Sequence, residues 1–262
     1  MSLDLGVFCK NTLDGEIVEH CFSAVFGFAQ NSDPSYLDWL LKAWGWTLAV
    51  AAIGLIIAFT VGAVIGTLRT LPATSPLNRW LIRIATAWVE LFRNIPILVQ
   101  VFLWYHVIPS FVLPLKSLPS YWLVSIALGF FTSARIAEQV RAGIQALPSG
   151  QRAAATALGL TTVQSYRYVI LPMALRIVMP PLTSESMNLI KNSSVAFAVS
   201  VPELTLFAMQ AQEETSKGVE IYLAVTLLYA LSAFAVNRVM TLIEKRSCIP
   251  GFIISHDASL AH

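Results

Sequence analysis

Glu185, Asn188 and Asn192 stand at i, i+3 and i+7 inside a largely apolar stretch, and Lys191 points roughly to the other side of the same helix. Ionisable groups cost ~2.5–3.5 kcal/mol each in hydrocarbon on insertion scales, so they persist where they pair or border a path. Two readings carry equal weight. Either the face bearing Glu185 and Asn188 borders a path for a polar solute, with Lys191 ordering the helix or meeting an anionic substrate, or these groups hydrogen-bond between the helices of two chains. Pro180-Pro181, just ahead, predicts a helix break, tolerated where a helix is buried in protein or lines a cavity. Glu90 and Arg93, three apart ahead of Pro96, are expected to pair and fix another break, a structural role favoured about two to one over substrate contact. Arg135 and Glu138, also three apart, are expected to pair within one helix.

Catalytic chemistry finds no support. The chain has no H-E-x-x-H, no G-x-S-x-G, no paired membrane Asp residues and no Cys/His spacing suited to a metal. His106 is the only His within a predicted span and is expected at its outer end. No G-x-x-x-x-G-K-[ST] loop is present, so the chain is not expected to hydrolyse ATP itself. Cys9 and Cys21 could form a disulfide in an oxidising compartment, but two unpaired small residues is the favoured expectation; Cys248 falls near the C-terminus.

The elements that must hold those side chains are membrane helices. The chain has 262 residues, 56% apolar and 12% charged, about half the charge of soluble domains. Apolar runs predict five spans at about 44–68, 84–112, 121–136, 172–200 and 219–240. Trp39, Trp44 and Trp46 suit an outer aromatic belt. Gly54, Ala58, Gly62 and Gly66 recur every fourth position and predict a close-packing stripe toward an unidentified helix. Residues 1–42 are acidic, whereas Arg69, Arg79, Arg83, Arg141, Arg152, Arg167, Arg238, Lys245 and Arg246 fall on the opposite side of the predicted spans. The positive-inside rule therefore predicts the N-terminus outside and a cytoplasmic tail, 247–262. No signal peptide is expected ahead of the first span. No basic patch with interleaved aromatics suggests nucleic acid.

Between the third and fourth spans lies a polar, Ala-rich island, 141–172, predicted to form two short helices. Ser149 is expected to cap the first, over Gln151 to Leu158, and Gly159 to stop it. Thr161-Thr162-Val163-Gln164 has the form of a capping box for the second. Ala153, Ala154 and Ala157 would present a flat surface for a partner. From local pattern alone, an ordinary solvated loop is as good a reading.

Gly150-Gln151 through Ala157-Leu158-Gly159, followed by Ile170-Leu171-Pro172, resembles the cytoplasmic "EAA" loop of permease subunits of bacterial ATP-binding-cassette importers. Val89-Glu90-Leu91-Phe92-Arg93-Asn94-Ile95-Pro96 with Leu98-Val99-Gln100 is similar to the second-span signature of polar amino acid permeases. Thr183 to Asn188 and Lys191 to Ala196 are similar to their fourth-span signature. The resemblance runs from about residue 40 onward and is most marked to glutamate/aspartate importers. It implies an all-α membrane protein with the type I importer permease fold, its permease domain over 43–246, in a bacterial inner membrane. It also implies a second permease, two cytoplasmic ATPases that use ATP and Mg, a periplasmic amino-acid-binding protein and no cofactor on this chain. The docking residues would be Gly150, Gln151, Arg152, Ala153, Ala154, Ala157, Leu158 and Gly159. One departure stands out: Ala153 occupies the position of the family's Glu. Docking then rests on shape and Arg152, or a non-identical second permease supplies the carboxylate. An intramembrane enzyme and an ion-driven carrier are the competing classes, and the second would need neither island nor ATPase.

Overall fold

Ser35 starts the first long helix because its hydroxyl accepts the Asp38 N–H at 3.2 Å while the Asp38 carboxylate accepts the Ser35 N–H. This box satisfies two donors that a helix start leaves orphaned. The structure, a computed structural model, describes residues 4–12, 15–17 and 35–247. Cys21, Cys248 and the tail beyond Ser247 lie outside the described residues. The helices are α1 (Tyr36–Leu68), α2 (Pro76–Asn94), α3 (Ile97–Phe111), α4 (Ser120–Gln145), α5 (Ser149–Ala157), α6 (Thr162–Val199), α7 (Leu204–Thr215) and α8 (Gly218–Ser247). There is no strand among the described residues. Three helices, α1, α4 and α8, are long and apolar enough to cross a membrane. Counting each of two bent pairs as one span gives five.

The stripe on α1 finds its partner in α4. Gly54, Ala58, Gly62 and Gly66 are all buried. A Cβ on Gly62 would stand 2.6 Å from the Ile136 side chain and 2.9 Å from the Ser133 carbonyl, and one on Gly66 2.7 Å from the Ala137 carbonyl. From the other side, a Cβ on Gly129 would come within 2.6 Å of Ile57. Only backbones without side chains can approach so closely, which is the usual way helices pack in lipid.

Two expected breaks lie elsewhere. The predicted second span is not one interrupted rod: α2 and α3 meet at 107° across Ile95-Pro96. The Gln100 amide holds that bend, donating to the Phe92 and Ile95 carbonyls at 2.7 and 2.9 Å. Conversely, Pro180 and Pro181 do not break their helix, which runs through both. The bend comes later, where Ser200 adopts a left-handed conformation (φ 57°) and α6 turns by 54° into α7. The predicted second island helix and the fourth span are likewise one element, α6. Its continuity past Pro172 rests on a π turn in which the Leu171 N–H bonds the Tyr166 carbonyl. An identical device precedes Pro109, where the Ile108 N–H bonds the Leu103 carbonyl. A proline lacks an N–H and crowds the carbonyl four residues back, and the wider turn moves that carbonyl aside.

Outside the bundle, the segment around a 3₁₀ turn, Leu5–Cys9, clamps two distant places. Its Lys10 carbonyl accepts the Tyr36 N–H at 3.1 Å, and its Asp4 meets Lys217 at 3.2 Å and offers its N–H to Glu220. Cys9 is in a disulfide. The expectation of an unpaired thiol at Cys9 is therefore corrected.

Candidate functional site: a docking surface and a charged seam

Alanine is the strongest helix former, and an Ala-rich run makes α5. Ser149 does not cap it. Pro148 holds the N-cap position without a side-chain bond, and Ser149 is the first helical residue. The C-terminus follows the expected form, with Gly159 at φ 74°. The Gly159 N–H bonds the Thr156 carbonyl at 2.9 Å and the Leu160 N–H bonds that of Ala155 at 3.1 Å. This pair of bonds is the Schellman ending. Thr161 and Gln164 then form the predicted capping box.

This unit is anchored on one side only. Ala155 is buried, and Tyr166 packs with Ile144, Ile170 and Ala174 against Leu71 and Leu147. The Tyr166 hydroxyl donates to the Thr70 carbonyl at 2.5 Å, tying the island to the end of α1. Arg152 turns back onto the same ring, 5.7 Å from its centroid, with a 3.4 Å bond to its hydroxyl. On the outer side Gly150, Ala153, Ala154, Ala157, Leu158 and Gly159 are exposed, and Gln151 is half-buried. Leu158 is 80% exposed and Val163 75%. Two apolar side chains so open beside a flat alanine surface form a low-relief patch that an apolar groove can cover. Val163 escaped the sequence reading, although an apolar residue inside a capping box on a polar loop was a usable signal.

Most of the charged residues pair across helices, and one pair, Glu138–Arg141, runs along α4. Arg135 of α4 makes a two-point bond to Glu185 of α6, Nε to Oε2 at 2.8 Å and a terminal nitrogen to Oε1 at 3.0 Å. The Glu185 side chain is 7% exposed and that of Arg135 40%. The expected Arg135–Glu138 pair is corrected accordingly. Glu138 instead gathers three arginines: Arg69 at 2.8 Å, Arg141 at 3.1 Å and Arg93 at 3.5 Å. Arg93 therefore reaches across to α4, and the expected Glu90–Arg93 pair does not form; Glu90 is exposed. Spacing of three made pairs available within a helix, but a bidentate partner on a neighbour satisfies more of the fixed guanidinium fork.

Of the fourth-span candidates, Glu185 is buried in that seam, Asn188 and Asn192 are half-buried, and Lys191 is exposed with no ion pair among the described residues. A further buried carboxylate was missed. Glu203, 1% exposed, accepts from the N–H groups of Thr205 and Leu206 and from the Tyr229 hydroxyl. It starts α7 and fastens it to α8. A carboxylate directly after Pro202 was the available cue for an N-cap. No cluster of three or more His, Cys, Asp or Glu suited to a metal occurs among the described residues.

Comparison with known proteins matches this architecture. A family model described as "Binding-protein-dependent transport system inner membrane component" matches residues 62–247. The glutamate/aspartate import permease protein GltJ of Escherichia coli is 43% identical over 83% of this chain and 90% of its own. A probable glutamine ABC transporter permease protein, GlnM of Bacillus subtilis, is 36% identical over 76% of this chain and 89% of its own. Among solved structures, an amino acid ABC transporter crystallised with histidines superposes with a TM-score of 0.69 at 27% identity, covering 80% of this chain and 95% of that one.

Proposed function

The chain belongs to the inner-membrane components of binding-protein-dependent transport systems, as a permease subunit of an amino acid importer and not itself an enzyme, and we propose that its cargo is glutamate or aspartate. The likeness to GltJ carries that choice. Lys191, basic, exposed and in no ion pair among the described residues, agrees with an acidic solute. The path candidates are Glu185, Asn188, Lys191 and Asn192. Glu185, locked to Arg135 here, reaches a solute only if that pair opens, so the helices carrying it have to separate for transport.

Partner ATPases bind ATP and Mg. Their closure moves the patch around Leu158, which they hold, and Tyr166 passes the motion to α1 through Thr70. A ligand shifts such an equilibrium only by its difference in affinity for the two states. The N-terminal segment faces the outer, oxidising side, as supported by the Cys9 disulfide and the acidic composition of residues 1–42. Ala153 in place of a carboxylate supports a second, non-identical permease.

The test is purification of the native complex, identification of its chains, and ATPase assay with the binding protein loaded with each amino acid in turn. Stimulation by glutamate or aspartate alone is expected, with two kinds of permease chain present. Stimulation by histidine or glutamine but not by acidic amino acids defeats the cargo assignment, and a single kind of permease chain defeats the heterodimer. Leu158→Glu should leave the permease in the membrane, abolish stimulated ATPase activity and release the ATPase subunits on purification. Retained coupling in this variant rules out the patch.

A further inference from the structure

Helix α2 meets three different surroundings around its circumference. Ala85 and Val89 are buried, and Trp88 and Phe92 pack on Phe130 of α4 with ring centroids 4.8 and 5.5 Å apart. At 3.6 residues per turn, Arg79, Arg83, Thr86, Glu90 and Arg93 share a second sector. Leu77, Trp80, Ile84 and Leu91 share a third, and all four are exposed. The protein-facing and exposed apolar sectors adjoin, with the polar one opposite their common edge. A surface helix that faces water needs only the first two.

Its direction and depth are set by its neighbours. α3 runs along α4, with Val101 packed among Val124, Ala127 and Leu128. Meeting α3 at 107°, α2 lies across the bundle. The stretch of α1 from Ala43 to Leu68 is uncharged, and Arg69 directly after it binds Glu138. Arg93, near the end of α2, reaches that same carboxylate. The end of α2 is thus held where the uncharged part of α1 stops, on the side of the island that Tyr166 ties to Thr70.

We propose that α2 lies in the island-side interface of the membrane and binds anionic phospholipid, with Leu77, Trp80, Ile84 and Leu91 in the acyl region and Arg79 and Arg83 on the headgroups. Apolar and aromatic residues on one face with arginine on the other mark helices that lie in this plane. Charge selects the lipid: Arg79 and Arg83 stand one turn apart and make no ion pair among the described residues. Each basic residue near an anionic surface favours binding independently of headgroup shape.

The purified complex containing this chain, in nanodiscs of mixed phosphatidylcholine and phosphatidylglycerol, provides the test. Benzoylphenylalanine placed at Ile84 or Leu91 should, on irradiation, add the mass of a phospholipid. Cross-linking to a second permease or to another protein chain overturns the proposal. Native mass spectrometry should find phosphatidylglycerol retained by the wild type, and retention should fall roughly five-fold for each arginine removed in Arg79→Gln and Arg83→Gln. Arg79→Lys with Arg83→Lys should keep it. Unchanged retention in the Gln variants also overturns the proposal. The photolabelled chains keep both arginines, so they report even where a Gln variant fails to assemble.

Discussion

Helix α4 is held on two sides by seams that both use glycine but differ in the charge they carry along the spans. Against α1 the contact along the span is apolar, with Gly62, Gly66 and Gly129 leaving room for the facing backbone, and charge enters only past the end of α1, where Arg69 binds Glu138. Against α6 Gly143 likewise leaves room for Val178, but the seam also includes a charge on each side within the spans, Arg135 and Glu185, joined at two points. At the glycines of either seam a slide brings side chains into the space that the missing Cβ leaves. A paired charge can in principle exchange partners. The expectation set by this difference is that the α4–α6 pair rearranges during transport while the α1–α4 pair does not, and the variants below test it.

The largest effect should come from breaking the charged seam on one side only. Glu185→Ala leaves Arg135 without its partner and should cost about 3–5 kcal/mol at most, less to the extent that the exposed guanidinium finds water. Thermal unfolding of the detergent-purified chain measures it. Arg135→Met with Glu185→Leu should recover most of that stability yet lose transport; a double variant that transports normally would show the seam to be mere glue.

The glycine seam gives a finer test inside one stripe. Gly62→Ala forces its Cβ onto Ile136 and should cost about 1–3 kcal/mol. Gly54→Ala has 3.4 Å to Leu189 and should be neutral, or gain up to ~1 kcal/mol from helix propensity. Equal melting temperatures for the two variants would show that the close approach at Gly62 does not limit what the stripe tolerates. Tyr166→Phe removes the hydroxyl between Thr70 and Arg152 and should cost about 0.5–1.5 kcal/mol. Basal ATPase activity of the complex should survive while the stimulated rate falls.

The smallest effect lies at the N-terminal clamp. The hydrogen bond from Lys217, and then its charge, hold the Asp4 carboxyl below the usual carboxylate range. A lowered folded-state pKa stabilises the clamp above the ordinary carboxylate pKa, and that contribution is lost as pH falls through the lowered value. Protection against hydrogen exchange at the α7–α8 turn, taken relative to the intrinsic exchange rate at each pH, should therefore fall in acid in the wild type. In Asp4→Asn it should already be lower at neutral pH and change little on acidification.

Legibility followed the range of each interaction. The ending at Gly159 and the box at Thr161 depend on residues within four or five positions, and both could be read in advance. The glycine stripe was visible, but its partner was 70 or so positions away. Ser149 looked like a cap, yet Pro148 already had the extended backbone that position needs (ψ 134°). Prolines misled in both directions. Pro96 sits at a sharp bend where Gln100 captures the freed carbonyls, whereas the helix continues unbroken through Pro180-Pro181.

By itself the sequence determined the membrane class, the family, the island's local turns and the absence of catalytic machinery, because hydropathy, capping and motif spacing are properties of neighbouring residues. Only the tertiary structure decided which charges meet. Arg135 had Glu138 three residues away and took Glu185 fifty residues on, because Glu138 is already claimed by Arg69 and Arg93 from the ends of α1 and α2 and by Arg141 of its own helix. A carboxylate goes to whichever cations packing brings to it, and in this bundle most of those come from other helices.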